Sequence, residues 1–591
     1  MIRRGRGRGA STGTVIALLL ACSGAAGKAF AQDQAGSAGG TAPSAGSTGA
    51  AGQTSAGAGT EAASATGAAT ENAAATTVAP APGLAASVAP PVGVAVRLGD
   101  LGSILAAASS VGSTQVERPP GLTVTPSIGL QEEFTTNVFG TSGGGGDDFI
   151  TSLTPGLLVN LATPNATGTL GYAPTFSLYA NHSSDNNVAE NLNGALDATI
   201  LPQTLQLSLR AYASEQSTAG GVAPGGTSTL STNNQTTSSG FSASPTFEHK
   251  FGDAGTLSLG YSLDYTNQSG NAAFAQGASQ PYFVGSRTLT NQETGSFTTG
   301  PDFGRFNDTL AANGAQSSGN GVLDGAYQYL VTDTLRYAVL RRVYAFGTFG
   351  YEDIYYPSLP PVTVQDGVWA AGLQLTPPGP SSITVGYGHF FGFNAPFARA
   401  TIGLSPRTRL AISYADVLAS SQQLLQSALG TTSVNAAGTP IDSQSNFPVV
   451  LTNQLLSVQS GVMRSAQFSA SLITTWPRDT LSLSVLGDRE KLVANAAGTS
   501  GFSQNSWSGS LGWTHSLTPL LTLTSYVQMG STTSEAVGSG TTPVFAGQVS
   551  LLDQLTPTLF ASLQYQVMNQ SSYGGSNTLE NSVIIAVQKT F

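Results

Sequence analysis

Apolar and polar residues alternate in short segments that recur along the chain from Gly121 to the C-terminus. Clear examples are residues 205–212, 257–265, 467–472, 521–529 and 559–567. A period of two places one set of side chains on each face of a β-strand. Runs of roughly 9–14 residues are long enough to cross a bilayer when the strand is tilted. The pattern therefore predicts an all-β fold built from membrane-crossing strands.

Tight breaks, several of them containing proline, separate the alternating segments. They fall at 200–205, 404–410, 476–481, 517–520 and 555–559, and near Pro164, Gly252, Pro301, Asp333 and Pro378. Proline is tolerated where a strand ladder has ended, and outer-membrane barrels have short periplasmic turns. Ten such turns imply eleven hairpins. We therefore expect a single large transmembrane antiparallel up-and-down β-barrel of about 22 strands, within a range of roughly 18–24.

Longer polar segments alternate with the tight turns and would form the external loops. They cover residues 137–147, 217–238, 267–285, 418–463 and 491–503. External loops of such barrels are longer than the periplasmic turns. The longest of them, 418–463, has enough residues to fold into the lumen.

The N-terminus has the parts of a secretory signal peptide. Arg3 to Arg8 form a basic region, residues 15–21 begin a short apolar run, and Ala29 and Ala31 form an A-x-A cleavage site. The sequence therefore predicts that residues 1–31 are removed. One alternative is a membrane-anchor helix, although the apolar run is shorter than the roughly 20 residues needed to span a bilayer. The other is lipidation of Cys22, which follows Leu-Leu-Ala.

Residues 32–118 are predicted to be a disordered periplasmic segment ahead of a barrel that covers 119–591. Most of the segment is Ala, Gly, Ser and Thr, which cannot bury enough apolar surface to offset the entropy of ordering. Residues 92–112 have some apolar character. They would form a stray helical turn, or a helix that plugs the barrel or docks a partner.

The composition fits a barrel better than a soluble protein. Charged residues make up only 9% of the chain and hydrophobic residues 40%, and 72 residues are glycine. A soluble surface needs more charge than this, whereas a barrel has an apolar outside and a neutral polar inside. The net charge of −10 disfavours nucleic acid as a partner. The only cysteine lies in the predicted signal peptide, so we expect no disulfide and no thiol chemistry.

The C-terminus has the features of a last barrel strand. Val583, Ile585 and Val587 alternate with smaller or polar residues, and the chain ends on Phe591. A terminal aromatic residue after an alternating strand is the feature that the barrel-assembly machinery recognises. We therefore expect that machinery as a partner, together with outer-membrane lipid and lipopolysaccharide.

Motifs near the start of the predicted barrel resemble a known family. They are P-S-x4-E-x4-N from Pro126 to Asn137, D-F-I-x4-P-G from Asp148 to Gly156, and Y-A-N-H-S-S-D-N-N over residues 179–187. They resemble the outer-membrane β-barrel porins that include the exosortase (PEP-CTERM) system-associated proteins. The resemblance covers about the first four strands by motif. It implies an outer-membrane location and, by association, exopolysaccharide export loci, and it implies no catalytic residues.

Candidate chemistry is sparse. The histidines His182, His249, His389 and His515 fall in different predicted hairpins without ligand spacing, so we expect no zinc site. The oxygen-rich residues 183–187 would bind Ca²⁺ or form a solvated loop tip. No Ser/His pair or other catalytic constellation stands out. We therefore expect no cofactor and no enzyme activity.

Four residues on polar strand faces are candidates for lining a pore: Arg210, Asp264, Arg409 and Gln528. They would tune selectivity or simply solvate the lumen. A barrel of about 22 strands encloses a lumen wide enough for water. The sequence thus favours a porin-like passive channel for small polar solutes. The alternative is a non-enzymatic accessory barrel that exports exopolysaccharide or surface protein. A TonB-type transporter is disfavoured because residues 32–120 cannot form a folded plug.

Overall fold

The computed structural model describes residues 121–591 except for 139–145, 218–234, 275–277, 380, 435–439, 443–454, 537–539 and 572–576. The predicted signal peptide with Ala29 and Ala31, the alternative lipidation site Cys22, and the segment 32–118 lie outside the described residues. No helix in the described part of the chain is long and apolar enough to cross a bilayer.

The chain forms one closed antiparallel barrel of 22 strands, which confirms the predicted fold class. The first eleven strands are β1 (Gly121–Thr135), β2 (Asp148–Ala162), β3 (Ala166–Tyr172 and Thr175–Tyr179), β4 (Asn187–Ala189 and Leu192–Leu201), β5 (Leu205–Ser217), β6 (Gln235–Lys250), β7 (Gly255–Gly270), β8 (Ser286–Thr299), β9 (Phe306–Gly319), β10 (Tyr327–Leu340) and β11 (Val343–Tyr356). The other eleven are β12 (Val362–Leu375), β13 (Ser382–Phe390), β14 (Phe393–Ser405), β15 (Thr408–Ser420), β16 (Gly461–Thr475), β17 (Asp479–Asn495), β18 (Gln504–Ser516), β19 (Leu521–Ser534), β20 (Thr541–Thr556), β21 (Leu559–Ser571) and β22 (Asn577–Thr590). Strands β3 and β4 are each interrupted once. Both halves of β3 pair with β2 and β4, whereas only the second half of β4 also pairs with β5.

The first and last strands close the barrel. β1 pairs with β22 from Ser127 opposite Thr590 to Thr135 opposite Ser582. The backbone N–H of Phe591 donates to the carbonyl of Pro126 at 2.9 Å. Every strand therefore pairs with a neighbour on both sides over at least part of its length, and the ring of strands is closed.

The two faces of the wall differ as the period-two pattern predicts. On β22, Val583, Ile585 and Val587 are exposed on the outer face, whereas Ser582 and Gln588 are buried on the inner face. The outer face of the other strands carries large exposed apolar side chains in the same alternation. An apolar exterior around a polar interior is the arrangement that a bilayer requires of a barrel.

The ten tight turns lie at one end of the barrel, which we call the turn end, and the opposite end is the loop end. Nine turns fall where the sequence predicts them, but the prediction at Asp333 is wrong. Asp333 lies within β10, opposite Leu310 of β9. The turn is formed by Arg341 and Arg342, neither of which has a positive φ. A turn of this kind does not require glycine or proline, so composition does not reveal it.

The wall is split between β14 and β15 toward the loop end. The ladder between them runs only from Ser405 opposite Thr408 to Ala398 opposite Tyr414. Beyond Ala398, β14 pairs with β13 alone, and this part of the strand contains Pro396, which has no N–H to donate. β13 and β14 are joined by only Phe391 and Gly392. Side-chain contacts must hold the wall together along this split.

Candidate functional site

The inner face of the barrel is built mainly from neutral hydroxyl and amide side chains. Pairs of hydroxyls bond across neighbouring strands, as in Ser413 with Ser469 at 2.6 Å and Thr154 with Thr175 at 3.0 Å. Gln564 is almost completely buried on β21. Such groups carry no charge, and hydroxyls like these bond one another in pairs. The lumen thus offers a polar but uncharged surface over most of its wall.

Two of the predicted pore-lining residues are buried in the wall. Arg210 of β5 donates to the Asp197 carboxylate at 2.8 Å and to two backbone carbonyls. Asp264 of β7 accepts the Ser262 hydroxyl at 2.8 Å. Their polar groups are already bound to the protein, so neither is a free charge in the lumen.

Of the other two predicted pore-lining residues, one is buried and one is exposed. Gln528 of β19 is buried and accepts the hydroxyl of Tyr526 at 2.8 Å. Arg409 of β15 is exposed near the turn end, on the strand face that also carries Ser413. The four candidates lie on four non-adjacent strands, so the structure does not bring them together into one site.

The loop between β15 and β16 enters the lumen, as its length suggested. Residues 421–460, here called the lumen segment, begin with helix α1 (Ser421–Thr431) and continue through a short hairpin of Thr432–Val434 with Pro440–Asp442. The Gln426 amide donates to the hydroxyls of Thr266 on β7 and Thr290 on β8, each at 3.2 Å. Because β7 and β8 are far from β15 around the ring, helix α1 must cross the barrel.

Further contacts fix helix α1 on both sides. Leu425 packs against Tyr212 on the inner face of β5. On β11, the Tyr356 hydroxyl is within hydrogen-bonding distance of the Gln423 side-chain oxygen, at 2.9 Å, and Tyr356 is fully buried. The helix is therefore attached to β5–β8 and to β11, and it narrows the lumen.

The end of the lumen segment joins loops from opposite walls. The Ser460 backbone N–H donates to the Tyr282 carbonyl at 2.9 Å, and the Ser460 hydroxyl bonds both the N–H and the carbonyl of Val284. In the loop between β17 and β18, the Ser500 N–H donates to the Pro281 carbonyl at 2.9 Å. The rings of Tyr282 and Phe502 are 5.3 Å apart. These loops meet across the loop end and close part of it.

The remaining described part of the lumen segment is anchored to β18–β21. The Gln504 side chain bonds the backbone N–H and carbonyl of Ser457 at 3.0 and 2.8 Å, and it donates to the buried Glu490 carboxylate at 2.6 Å. Leu455 packs with Val544 of β20 and Met568 of β21. The lumen segment thus contacts walls on several sides of the barrel.

Aromatic rings form a row on the inner face of β11–β14, which the sequence does not predict. Phe346 lies 6.2 Å from Phe397, and Phe397 lies 6.5 Å from Phe390, measured between ring centroids. The Phe346 ring lies over Gly372 and the Phe397 ring over Gly386, where no Cβ is present. The glycines let the rings lie flat against the wall.

An arginine lies at each end of this row. Near the turn end, Arg336 Cζ is 5.1 Å from the Tyr344 ring centroid. Near the loop end, Arg464 Cζ is 3.9 Å from the Phe393 ring centroid. We call Tyr344, Phe346, Phe397, Phe390 and Phe393 the aromatic row. Cations bind the faces of aromatic rings through the ring quadrupole.

The motif residues at the start of the barrel hold strand ends together. The Asp148 carboxylate accepts the N–H groups of Phe149 and Asn181 at 2.8 and 2.9 Å and pairs with His182 at 2.8 Å. The Asn137 amide donates to the Leu579 carbonyl at 3.3 Å, which links β1 to β22. Asn137 thus helps to close the barrel, and Asp148 anchors the loop that follows β3. These two roles explain the spacing of the motif residues.

The histidines stay in separate places. His182 pairs with Asp148, His389 with Asp366 and His515 with Asp479, and the His249 ring lies 4.6 Å from the Phe251 ring. No group of three or more His, Cys, Asp or Glu side chains that could hold a metal ion occurs within the described ranges.

No protein-family model matches this sequence, and no curated protein matches it. Several solved structures are similar in fold. The FrpB iron transporter from Neisseria meningitidis (F3-3 variant) is 9% identical with a TM-score of 0.44, and the match covers 82% of this chain and 83% of that one. The siderophore receptor PirA from Acinetobacter baumannii is 8% identical with a TM-score of 0.42, over 80% and 81% of the chains. Pseudomonas aeruginosa OccK5 (OpdH) is 11% identical with a TM-score of 0.28, over 79% and 98%.

Proposed function

We propose that this protein is an outer-membrane barrel that passes small polar solutes through a lumen gated by its own lumen segment. The observation that carries the proposal is helix α1, which crosses a neutral polar lumen and is held by side-chain hydrogen bonds from Gln426 and Tyr356. Hydrogen bonds between neutral groups each contribute about 0.5–1.5 kcal/mol. Contacts of this strength suit a segment that detaches and returns.

Free arginines on the inner face favour anions among those solutes. Arg399 of β14 and Arg409 of β15 point into the turn-end half of the lumen, and neither makes an ion pair with a described residue. By contrast, the inner-face cation Lys250 has an acid, Glu248, 3.8 Å away. Unbalanced charges in a pore select ions of the opposite sign. We therefore expect Arg399 and Arg409 to favour anions over cations in the turn-end half of the lumen.

A second candidate is an accessory barrel that exports exopolysaccharide or surface protein, and the aromatic row favours it. Aromatic faces present flat apolar surface and a negative quadrupole, which suits the C–H faces of sugar rings. The partly closed loop end also fits a barrel that opens only for its cargo. For either function we propose an outer-membrane location, a periplasmic N-terminal tail and assembly by the barrel-assembly machinery.

Planar-bilayer conductance of two proteins tests the gate. One is the natural chain, and the other has residues 421–457 replaced by a short Gly/Ser linker. Heat-dependent mobility in SDS gels checks that both are folded. A silent natural protein with steady conductance from the linker variant supports the gated channel.

Other outcomes reject the gate. Large steady steps from both proteins would indicate a passive porin that is always open. Silence from both would contradict transport of small solutes and leave the export role. Block of the linker variant by a long neutral oligosaccharide, with no block by acetate, would support the export candidate over the solute channel.

A further inference from the structure

We propose that the outer face of β17–β19 near the loop end binds the phosphate group of an outer-leaflet glycolipid. A cavity of about 290 Å³ opens there, and its lining includes Arg489, Lys491, Asn505, Thr533 and Glu535. This inference does not depend on what the lumen transports.

Basic side chains are rare near the loop end, and most of them are gathered at this place. The lysines and arginines near the loop end of the described strands are Arg287, Arg464, Arg489 and Lys491. Arg464 and Lys491 are opposite each other on β16 and β17, and Arg489 is two residues from Lys491 on the same face. Three cations thus lie on one small area of the wall.

Two of these three cations are available to a ligand. The Arg464 guanidinium makes three contacts of 2.6–3.1 Å with the Asp416 carboxylate, so its charge is already paired. Arg489 and Lys491 are exposed and form no ion pair within the described residues. Glu535 lines the same cavity but is not within ion-pair distance of either cation. A second acid, Glu490, also lines the cavity and accepts the Gln504 amide at 2.6 Å. The site therefore has two free positive charges and two acids, neither of which pairs with them.

The position of the cations matches the level of lipid phosphates. Asn505 lies opposite Arg489, and Trp507, two residues further along β18, lies opposite Gly487. Trp507 is 52% exposed on the outer face, and Leu511 and Met529 are exposed on the same face, closer to the turn end. Tryptophan on a barrel exterior marks the interface between hydrocarbon and head groups. A phosphate bound by Arg489 and Lys491 would therefore have acyl chains lying along Trp507 and Leu511.

The cavity also supplies neutral donors that a phosphate needs. The Asn505 amide and the Thr533 hydroxyl line it beside the two cations. Charge-assisted hydrogen bonds from Arg and Lys to phosphate are roughly twice as strong as neutral ones. Each basic residue near an anionic lipid surface strengthens binding about fivefold. Loss of both cations should therefore weaken binding at least about tenfold.

Native mass spectrometry of the full chain in a non-ionic detergent tests the proposal, with diphosphoryl lipid A as the probe. The test variant is Arg489→Gln/Lys491→Gln, and the matched control is Arg341→Gln/Arg342→Gln, which removes the same charge at the turn end. The test variant should bind lipid A at least about tenfold more weakly than the natural protein, whereas the control should not change. Dephosphorylated lipid A should bind all three proteins equally weakly.

Two outcomes overturn the proposal. One is equal binding of lipid A to the test variant and the natural protein, because then the cations do not contribute. The other is displacement of lipid A by millimolar inorganic phosphate, because then the site recognises a free anion and not a lipid. The variant Asn505→Leu, which keeps both charges, should weaken binding less than the double variant.

Discussion

The guanidinium carbon of Arg464 lies 3.9 Å from the ring centroid of Phe393, on the far side of the split between β14 and β15. The same guanidinium holds the Asp416 carboxylate, whose side chain is only 4% exposed. No backbone ladder joins the two strands beyond Ala398. The contacts among the side chains of Arg464, Asp416 and Phe393 therefore hold β14 against its neighbours across the split. Elsewhere in the wall, backbone hydrogen bonds between strands have this role.

Replacing Arg464 with alanine should destabilise the barrel. The variant leaves the Asp416 carboxylate buried without its partner. Removing one member of a buried ion pair is strongly destabilising. Because 38% of the Arg464 side chain is exposed and screened by solvent, we expect the free energy of unfolding to fall by only about 1–3 kcal/mol. Urea unfolding in lipid vesicles, followed by tryptophan fluorescence, measures it.

The double variant Arg464→Ala/Asp416→Asn is the control for this prediction. It removes the charge that Arg464→Ala leaves unpaired, so it should lose less stability than Arg464→Ala alone. A single variant as stable as the natural protein would show that the split is held by other contacts.

Adding a methyl group at Gly386 should disturb the aromatic row. A Cβ at this position would overlap the Phe397 ring, which lies flat on the glycine. Overpacking of this kind costs about 1–3 kcal/mol. The matched control is Gly367→Ala on β12, where a Cβ meets nothing within 4 Å. The second change Phe397→Leu should restore part of the stability, and absence of any rescue would contradict the assigned contact.

Replacing Asp148 should loosen the loop-end connection between β2 and β3. Asp148→Ala removes the acceptor of two backbone N–H groups and the partner of His182. The free energy of unfolding should fall by about 2–3 kcal/mol, because the two N–H groups are left without their acceptor. Asp148→Asn keeps one acceptor oxygen and should lose less. Equal losses for the two variants in urea unfolding would argue against the role of the backbone N–H groups.

The barrel itself was predictable from sequence because its signal is local. Each strand faces lipid on one side and the lumen on the other, so every strand carries the same period-two pattern. The wrong prediction at Asp333 shows where this local signal fails. A polar residue within β10 resembles a break, whereas the actual turn at Arg341 and Arg342 has no glycine or proline to mark it.

The arrangement inside the lumen was not predictable in the same way. Gln426 meets Thr266 and Thr290 across more than a hundred residues of sequence, and only barrel closure brings them together. The aromatic row depends on Phe346 and Phe397 lying on neighbouring hairpins. The sequence predicted that the four candidate pore-lining residues lie on the polar faces of their strands. It did not predict that Arg210 pairs with Asp197.

Neutralising the free arginines should change the ion selectivity of the open barrel. In the linker variant that lacks residues 421–457, Arg399→Gln/Arg409→Gln should shift the reversal potential in a KCl gradient toward that of a cation-selective pore. The reason is the loss of two inner-face charges that no described acid pairs with. Lys250→Gln is the control, since Glu248 lies beside Lys250. An unchanged reversal potential would exclude Arg399 and Arg409 from the ion path.

Replacing Phe591 with alanine should separate assembly from stability. Phe591 is 70% exposed, and its backbone N–H donates to the Pro126 carbonyl of β1, a hydrogen bond that the variant keeps. A surface change of this kind alters the free energy of unfolding by no more than about 0.5 kcal/mol. If the ring is the signal that the barrel-assembly machinery reads, the amount of folded protein in the outer membrane should fall in cells, while refolding of the purified variant in detergent stays normal. Quantitative gel mobility of membrane fractions, beside urea unfolding of the refolded protein, measures both. A large loss of stability with normal assembly would reverse the assignment and make the ring a structural element of the seam between β1 and β22.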